Sequence, residues 1–522
     1  MSRTLVARVV RLSLVVAIIA VASVAARAEV RLPAIFSDNA VLQQDAPIKV
    51  WGRAEPGEAV TVSVAGQKQQ ATAGQDGRWQ LTLEPLKASK EPLEMVVAGK
   101  NTLTLKNLLV GEVWLCSGQS NMEMRLSQAT VGKETAAAAA DPTIRLFAMD
   151  RLIVERPLDE VRGKWVECTP EAVAGFSAVS FYFGREIRRQ TDRPVGLVSC
   201  AYGGTTIRAW MDEATLRADP EFAAAFANWQ NATNRAADAN KAAEEAWKQE
   251  VETAVKEKRE APARPKPVKV PLQQMPAGCY NGMLHSVVGY RIRGAIWYQG
   301  ETDAGEAARY RRLLPAMAAS WRTRWGQGEF PFLYVQLPGF MAVKPEPSES
   351  RWAEFREMQE LCLATIPASA MAVTIDLGDP KNIHPLRKFD VGRRLALAAE
   401  AMVYGGQAAW QSPLFEGQEV QGDRIRVTLK NAAGGLCVMD APTGDPAAPP
   451  REARPGPVAG FAIAGADKKF VWAEATIDGS AVVVRSDQVK EPKFVRYAWG
   501  DCPEANLYSK DALPAGPFRS DR

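Results

Sequence analysis

The chain has two histidines, His285 and His384, among 522 residues, so any chemistry that needs an imidazole base must use one or the other. A serine hydroxyl has that need, because near neutral pH it is a weak nucleophile until a neighbouring group takes its proton. Ser120 has the surroundings for the role. It lies in Cys116-Ser117-Gly118-Gln119-Ser120-Asn121, where an apolar run stops at a hydroxyl flanked by two carboxamides, with a glycine two positions earlier. His384 stands in "DLGDPKNIHPLRKF", just past another apolar run. His285, in "YNGMLHSVVGYRI", lies inside an apolar stretch, where a histidine is more often a satisfied core residue. His384 is therefore the expected general base.

Acyl transfer also needs hydrogen-bond donors at the oxygen where negative charge develops, and one such donor is worth about 2.7–4 kcal/mol. Three candidates follow the ends of apolar runs. They are the backbone N–H of Ser120, a backbone N–H of Gly203 or Gly204, and the carboxamide of Gln299. The G-x-S-x-G elbow is not met, since Met122 occupies the place of its second glycine. That argues against an α/β-hydrolase and leaves other serine-hydrolase folds open.

The elements that must position these groups can be read from periodicity. From Glu29 to Leu108 apolar residues alternate, as in "AVTVSV", "RWQLTL" and "NTLTL", between turn residues such as Glu55-Pro56-Gly57. Short alternating strands of this kind indicate a β-sandwich module over residues 29–108. From residue 109 to 411 solidly apolar runs ("EVWLCSG", "PVGLVSCAYGG", "RGAIWYQGE", "FPFLYVQLPG", "SAMAVTIDLGD") alternate with helix candidates at Phe176–Gln190, Ala307–Trp325, Arg351–Ile366 and Lys388–Val403. Strands buried on both faces and joined by helices describe an α/β domain with a parallel sheet. Ligands on such sheets bind beyond the carboxyl ends of the strands. The clusters "SGQSN", "YGGTT", "YQGET" and "DLGDPKNIHP" each follow such an end. Residues 212–272 form a helical excursion with a Pro-rich return, its aromatics read as packing. Residues 412–522 form a C-terminal β region, either a separate module or one packed on the first.

The opening stretch has three early arginines, an apolar centre from Leu12 to Val24 and Ala26-Arg27-Ala28, the pattern of a secretory signal cut after residue 28. Its apolar centre is short for a membrane span. The leader holds four arginines and no acid, so the formal charge of +4 falls to zero on cleavage. No basic excess then remains to attract nucleic acid. The expected location is periplasmic or extracellular. Seven dispersed cysteines include no C-x-x-C or Cys/His cluster, so no structural zinc is expected. Cys116 and Cys200, in apolar runs, read as buried free thiols.

Four ordered segments, "GQSNM", "YGGTTIRAWM" (202–211), "IRGAIWYQGET" (292–302) and "IDLGDPKNIHP" (375–385), resemble those of sialate O-acetylesterases within the SGNH (GDSL-like) hydrolases. The resemblance extends to "LPAIFSDNAVLQQDAPIKVWG" near the start and "VRYAWGDCPEANLYSKDALPAGPF" near the end. It implies an SGNH-type three-layer domain, Ser120 as nucleophile, His384 as base, and Ser120 N–H, a glycine of the 203–204 pair and Gln299 as oxyanion hole. Many SGNH enzymes carry an aspartate three residues before the histidine, where this chain has Lys381. The third triad member is then expected to be Asp376, with Asp379, Glu301 or a backbone carbonyl as alternatives. Asn121, Arg208, Trp297 and Glu301 are expected to contact substrate, and Thr302-Asp303 to line the sugar pocket. The expected activity is removal of O-acetyl groups from carbohydrates, sialic acids first, without metal or cofactor. The alternatives are acetylated xylan or bacterial polysaccharide as substrate, or a glycan-binding protein without catalysis.

Overall fold

The structure, a computed structural model, describes residues 29–160 and 162–522. The leader expected over residues 1–28 lies outside them. Seven strands come first: β1 (Val41–Gln43), β2 (Ile48–Arg53), β3 (Ala59–Val64), β4 (Gln67–Thr72), β5 (Arg78–Leu83), β6 (Ser89–Ala98) and β7 (Thr102–Gly118). The alternation read in the sequence is the burial pattern: β3 buries Val60, Val62 and Val64, and β5 buries Trp79, Leu81 and Leu83. β2 pairs antiparallel with β5, β3 with β4 and β6, and β6 with β7.

No break falls at residue 108. β7 is a single strand of 17 residues whose first six side chains alternate between half-buried and exposed, and whose remaining residues from Leu108 onward are all buried. Period two marks a sheet with one wet face, and continuous burial marks a sheet covered on both. One strand therefore serves both sheets.

The second half of β7 sits inside a sheet with β8 (Asp141–Met149), β9 (Gly163–Cys168), β10 (Val195–Ala201), β11 (Gly294–Tyr298), β12 (Phe332–Val335) and β13 (Ser369–Ala372). Their order is β13-β12-β11-β7-β10-β8-β9. Neighbours run parallel except the edge pair β8–β9, so the sheet is mixed, with a parallel centre. Helices Ala307–Trp325 and Lys388–Val403 fall where the sequence places them. The helix expected over Arg351–Ile366 stops at Leu361 and tightens into a 3₁₀ turn at Cys362–Ala364. Ile366-Pro367 keeps the helix from running further, because the residue before a proline is disfavoured in the α region.

The excursion is a 37-residue helix, Pro220–Lys256, N-capped by the Asp219 side chain and burying only Phe222 and Ala254. Its Pro-rich return is tied back by Trp247 Nε1, which donates to the carbonyl of Pro262 at 2.9 Å. The C-terminal strands, from Leu414 to Arg519, pack on the α/β domain. Arg519 pairs with Glu357 at 2.9 Å, and the Tyr508 hydroxyl donates to Asp376 at 3.0 Å. Cys116 and Cys200 are buried, and all seven cysteines are free thiols. Among the described residues no helix is long and apolar enough to cross a membrane.

Candidate active site

Four parallel strands deliver the candidate groups to one edge. β7 ends at Gly118 and leads into the short helix Ser120–Glu123. β10 leads to Gly203, β11 to Gln299, and the chain after β13 to His384. Gly118 is fixed by close approach to β11. Its φ is +148°, and a Cβ there would lie 2.1 Å from the carbonyl oxygen of Tyr298. Only glycine fits, so Gly118 sets the turn that lifts Ser120 off the strand.

Ser120 Oγ lies 2.8 Å from His384 Nε2, although 264 residues separate them in sequence. With the imidazole neutral and protonated on Nδ1, the serine hydroxyl donates to Nε2, the arrangement a general base requires. Burial and the charge of Lys388 lower the His384 pKa, and Glu123 pulls it back upward. His285 takes no part. It is half-buried with its ring edge-on to Tyr280, centroids 6.0 Å apart.

None of the three carboxylates expected to orient His384 bonds it. Asp376 is buried in a bidentate pair with Arg394, at 2.7 and 2.6 Å, and also accepts from Tyr508. Those partners hold its carboxyl below the usual range against the effect of burial. The hydrogen bonds of Asp376 go to Arg394 and Tyr508 and none goes to the imidazole, contrary to the expectation for Asp376. Asp379 shapes its own turn, accepting from the backbone N–H groups of Lys381 at 2.8 Å and Asn382 at 3.2 Å. Glu301 accepts from Asn121 Nδ2. Among the described residues His384 Nδ1 has no acceptor. The histidine is held instead through its backbone: its N–H donates to Asn382 Oδ1 at 2.9 Å, and Asn121 Nδ2 donates to the adjoining Ile383 carbonyl at 2.9 Å.

The oxyanion candidates divide. Ser120 N–H has no protein acceptor among the described residues. Gly203 is close enough that a Cβ on it would lie 3.3 Å from Ser120 Cβ, but its N–H donates to Glu123 Oε2 at 2.7 Å. Gly204 is exposed, with φ +75°. Gln299 is fully buried, and its amide donates to the carbonyl of Thr205 at 3.0 Å and to Asp303 Oδ2 at 2.6 Å. Both hydrogens are spent, so Gln299 secures the β11 exit loop and is no free donor.

The residues expected to contact substrate are each engaged by neighbouring side chains. Asn121 is fully buried, and its Oδ1 accepts from the buried ammonium of Lys388. Burial pushes Lys388 down to about 7 and pushes Glu301 up, while each charge favours the other. Trp297 is 1% exposed, in edge contact with Trp210 and Trp321. Its position inside β11 already implies that. Arg208 pairs with Glu306 at 3.0 Å. Asp303 is buried and pushed up to about 6 by burial, and it accepts from the N–H of Ile207 at 2.8 Å as well as from Gln299. The sequence reading passed over Glu123 and Lys388. Glu123 carries a spacing signal, three residues after Ser120 within one helical turn; Lys388 opens the helix that follows the His384 loop, and spacing alone does not point to it.

Comparison with known proteins places the chain in a family. The model of a family described as carbohydrate esterase, sialic acid-specific acetylesterase, matches residues 110–265 and 274–400. Sialate O-acetylesterase of Mus musculus is 30% identical over 419 residues, covering 73% of this chain and 75% of the relative. The Homo sapiens protein of the same name is 27% identical over 430 residues, covering 74% and 73%. A crystal structure of a carbohydrate acetylesterase from Xanthomonas citri is 36% identical with a TM-score of 0.78, covering 94% of this chain and all of that one. An α/β sheet with a serine and a histidine at its carboxyl edge, matched across most of its length by these proteins, is a carboxylic ester hydrolase, and the chain belongs to the sialic acid-specific acetylesterase family of carbohydrate esterases.

Proposed function

We propose that this carbohydrate O-acetylesterase works through an acetyl-serine intermediate, with O-acetylated sialic acids as its substrates. The observation that carries the mechanism is the 2.8 Å contact between Ser120 Oγ and His384 Nε2. Ser120 Oγ attacks the acetyl carbonyl carbon while its proton passes to His384 Nε2. The bond to the sugar oxygen then breaks, and the imidazolium returns that proton to the departing hydroxyl. Water, deprotonated by the same nitrogen, attacks the acetyl carbon; the bond to Ser120 Oγ breaks, Oγ takes the proton back from the imidazolium, and acetate leaves. Ser120 N–H is the available oxyanion donor, and Gly203 N–H joins it once Glu123 withdraws toward Arg151, its present ion-pair partner. The names of the mouse and human relatives support sialic acid as the sugar. The basic start, apolar centre and Ala26-Arg27-Ala28 support export after cleavage at residue 28.

Ser120→Ala tests the mechanism. On p-nitrophenyl acetate and on O-acetylated sialic acid it is expected to lose activity by at least about 10³-fold. Full activity in that variant would refute the serine mechanism. Assaying acetylated xylan beside acetylated sialic acid tests the sugar.

A further inference from the structure

The loop that follows β12 leaves the same sheet edge as Ser120 and His384, between the exits of β11 and β13. It is stitched to the His384 loop: Phe340 bridges Asp379 in parallel, and Asp379 N–H donates to the Gly339 carbonyl at 3.1 Å. It is also stitched to the C-terminal β region, where Phe340 N–H donates to the Asp501 carbonyl at 3.0 Å. The buried guanidinium of Arg356 donates to the carbonyls of Gly500 and Asp501 beneath.

Between this loop and the C-terminal strands lies a cleft of about 420 Å³, walled by Val343 and Pro345 on one side and by Phe461, Trp472 and Trp499 on the other. Trp472 is 42% exposed and Val343 54% exposed. Trp472 is also the one aromatic among the exposed large hydrophobics of the described residues. Its ring is held in place, because Nε1 donates to the Pro345 carbonyl at 2.7 Å. Trp499 is 6% exposed, and its Nε1–H has no acceptor. Lys344, Glu346 and Glu504 stand in the same lining without ion-pair partners among the described residues. A cleft lined by aromatic side chains with a few placed polar groups is the usual form of a small-ligand site.

We infer that this cleft is a sugar subsite, which holds a pyranose of the glycan beyond the acetylated residue, stacked on Trp472. The inference rests on the carbohydrate-esterase reading. The ring C–H groups of a pyranose form an apolar, weakly positive face that suits the negative face of an indole. Its equatorial hydroxyls project sideways, where Lys344, Glu346 and Glu504 supply donors and acceptors. A chain seated on Ser120 thus has a second foothold beside the loop that is stitched to the His384 segment.

The test compares Trp472→Ala and Trp472→Phe with the parent enzyme on p-nitrophenyl acetate, an O-acetylated monosaccharide, O-acetylated sialyl-lactose and acetylated xylotetraose. Trp472→Ala is expected to raise KM for at least one of the two chain substrates about tenfold, the worth of one lost aromatic stack, with kcat unchanged. The two small esters are expected to be hydrolysed as before, and Trp472→Phe to recover most of the loss. Unchanged KM on both chain substrates would overturn the subsite and leave the esterase reading intact. No turnover of any acetylated sugar by the parent enzyme would overturn the esterase reading itself. In that case binding of bare xylotetraose and sialyl-lactose, followed by tryptophan fluorescence, still decides the subsite. A tenfold higher Kd for either ligand in Trp472→Ala supports it, and equal Kd values for both refute it.

Discussion

Asp376→Asn separates an aspartate that orients a catalytic histidine from one that holds a fold together. In the first role its loss costs about 10⁴ in kcat. In the structure its two oxygens face Arg394 at 2.7 and 2.6 Å, one of them also accepts from Tyr508 at 3.0 Å, and the carboxylate is fully buried. Removing one partner of a buried pair strands the other, at a cost of about 3–5 kcal/mol. The expected result is a folded but less stable enzyme, with the urea midpoint lowered and kcat on p-nitrophenyl acetate within about threefold of the parent at 15 °C, far from the relay figure. The carboxyl's folded pKa is depressed, so its stabilisation is complete above the unfolded value of about 3.9 and is lost as pH falls through the folded one. The stability gap between parent and variant therefore narrows below about pH 4. The double variant Asp376→Leu/Arg394→Met, which strands no charge, is expected to regain most of the stability. A 10⁴-fold drop in kcat with the urea midpoint unchanged would refute this account and return Asp376 to the imidazole.

The neutral imidazole is the competent form, so kcat/KM is expected to rise with pH through a midpoint below about 6.5, because burial and Lys388 depress it. Lys388→Met removes the cation and is expected to move that midpoint upward, whereas an unmoved midpoint would show that Lys388 does not act on His384. Gln299→Leu strands the Thr205 carbonyl and Asp303, so it is expected to cost about 1–3 kcal/mol of stability. Its kcat is expected to fall by less than the roughly 10²-fold that a lost oxyanion donor costs; a larger fall in a stable protein would make Gln299 a donor after all. Gly118→Ala places a methyl 2.1 Å from the Tyr298 carbonyl oxygen and is expected to displace Ser120, lowering kcat by about 10²-fold, measured on p-nitrophenyl acetate.

Much of the site was legible because parallel strands impose a direction. Once the runs ending at Gly118, Ala201, Tyr298 and Ala372 are strands of one sheet, the residues after them share an edge, and Ser120 and His384 meet there despite their separation. Which of several polar residues at that edge stay available was not legible. Gln299 is spent on Asp303, four residues on, and Asp376 on Arg394, eighteen residues on in the next helix. Both pairings depend on side-chain direction within a buried layer, which spacing alone does not convey. The continuity of β7 through residue 108 was hidden for a related reason. A change from alternating to continuous burial resembles a boundary between modules, but here it records one strand passing from a half-wet sheet into a fully covered one.

That shared strand bears on how the protein can be divided. A gene trimmed to open at residue 109 would start inside a hydrogen-bonded ladder and discard Val41–Gln43, the segment that flanks Leu109–Gly111. The strand that presents the nucleophile would then have a frayed beginning. The amino-terminal portion is thus a splint for the catalytic strand, and grafting the esterase onto another scaffold requires carrying that splint along.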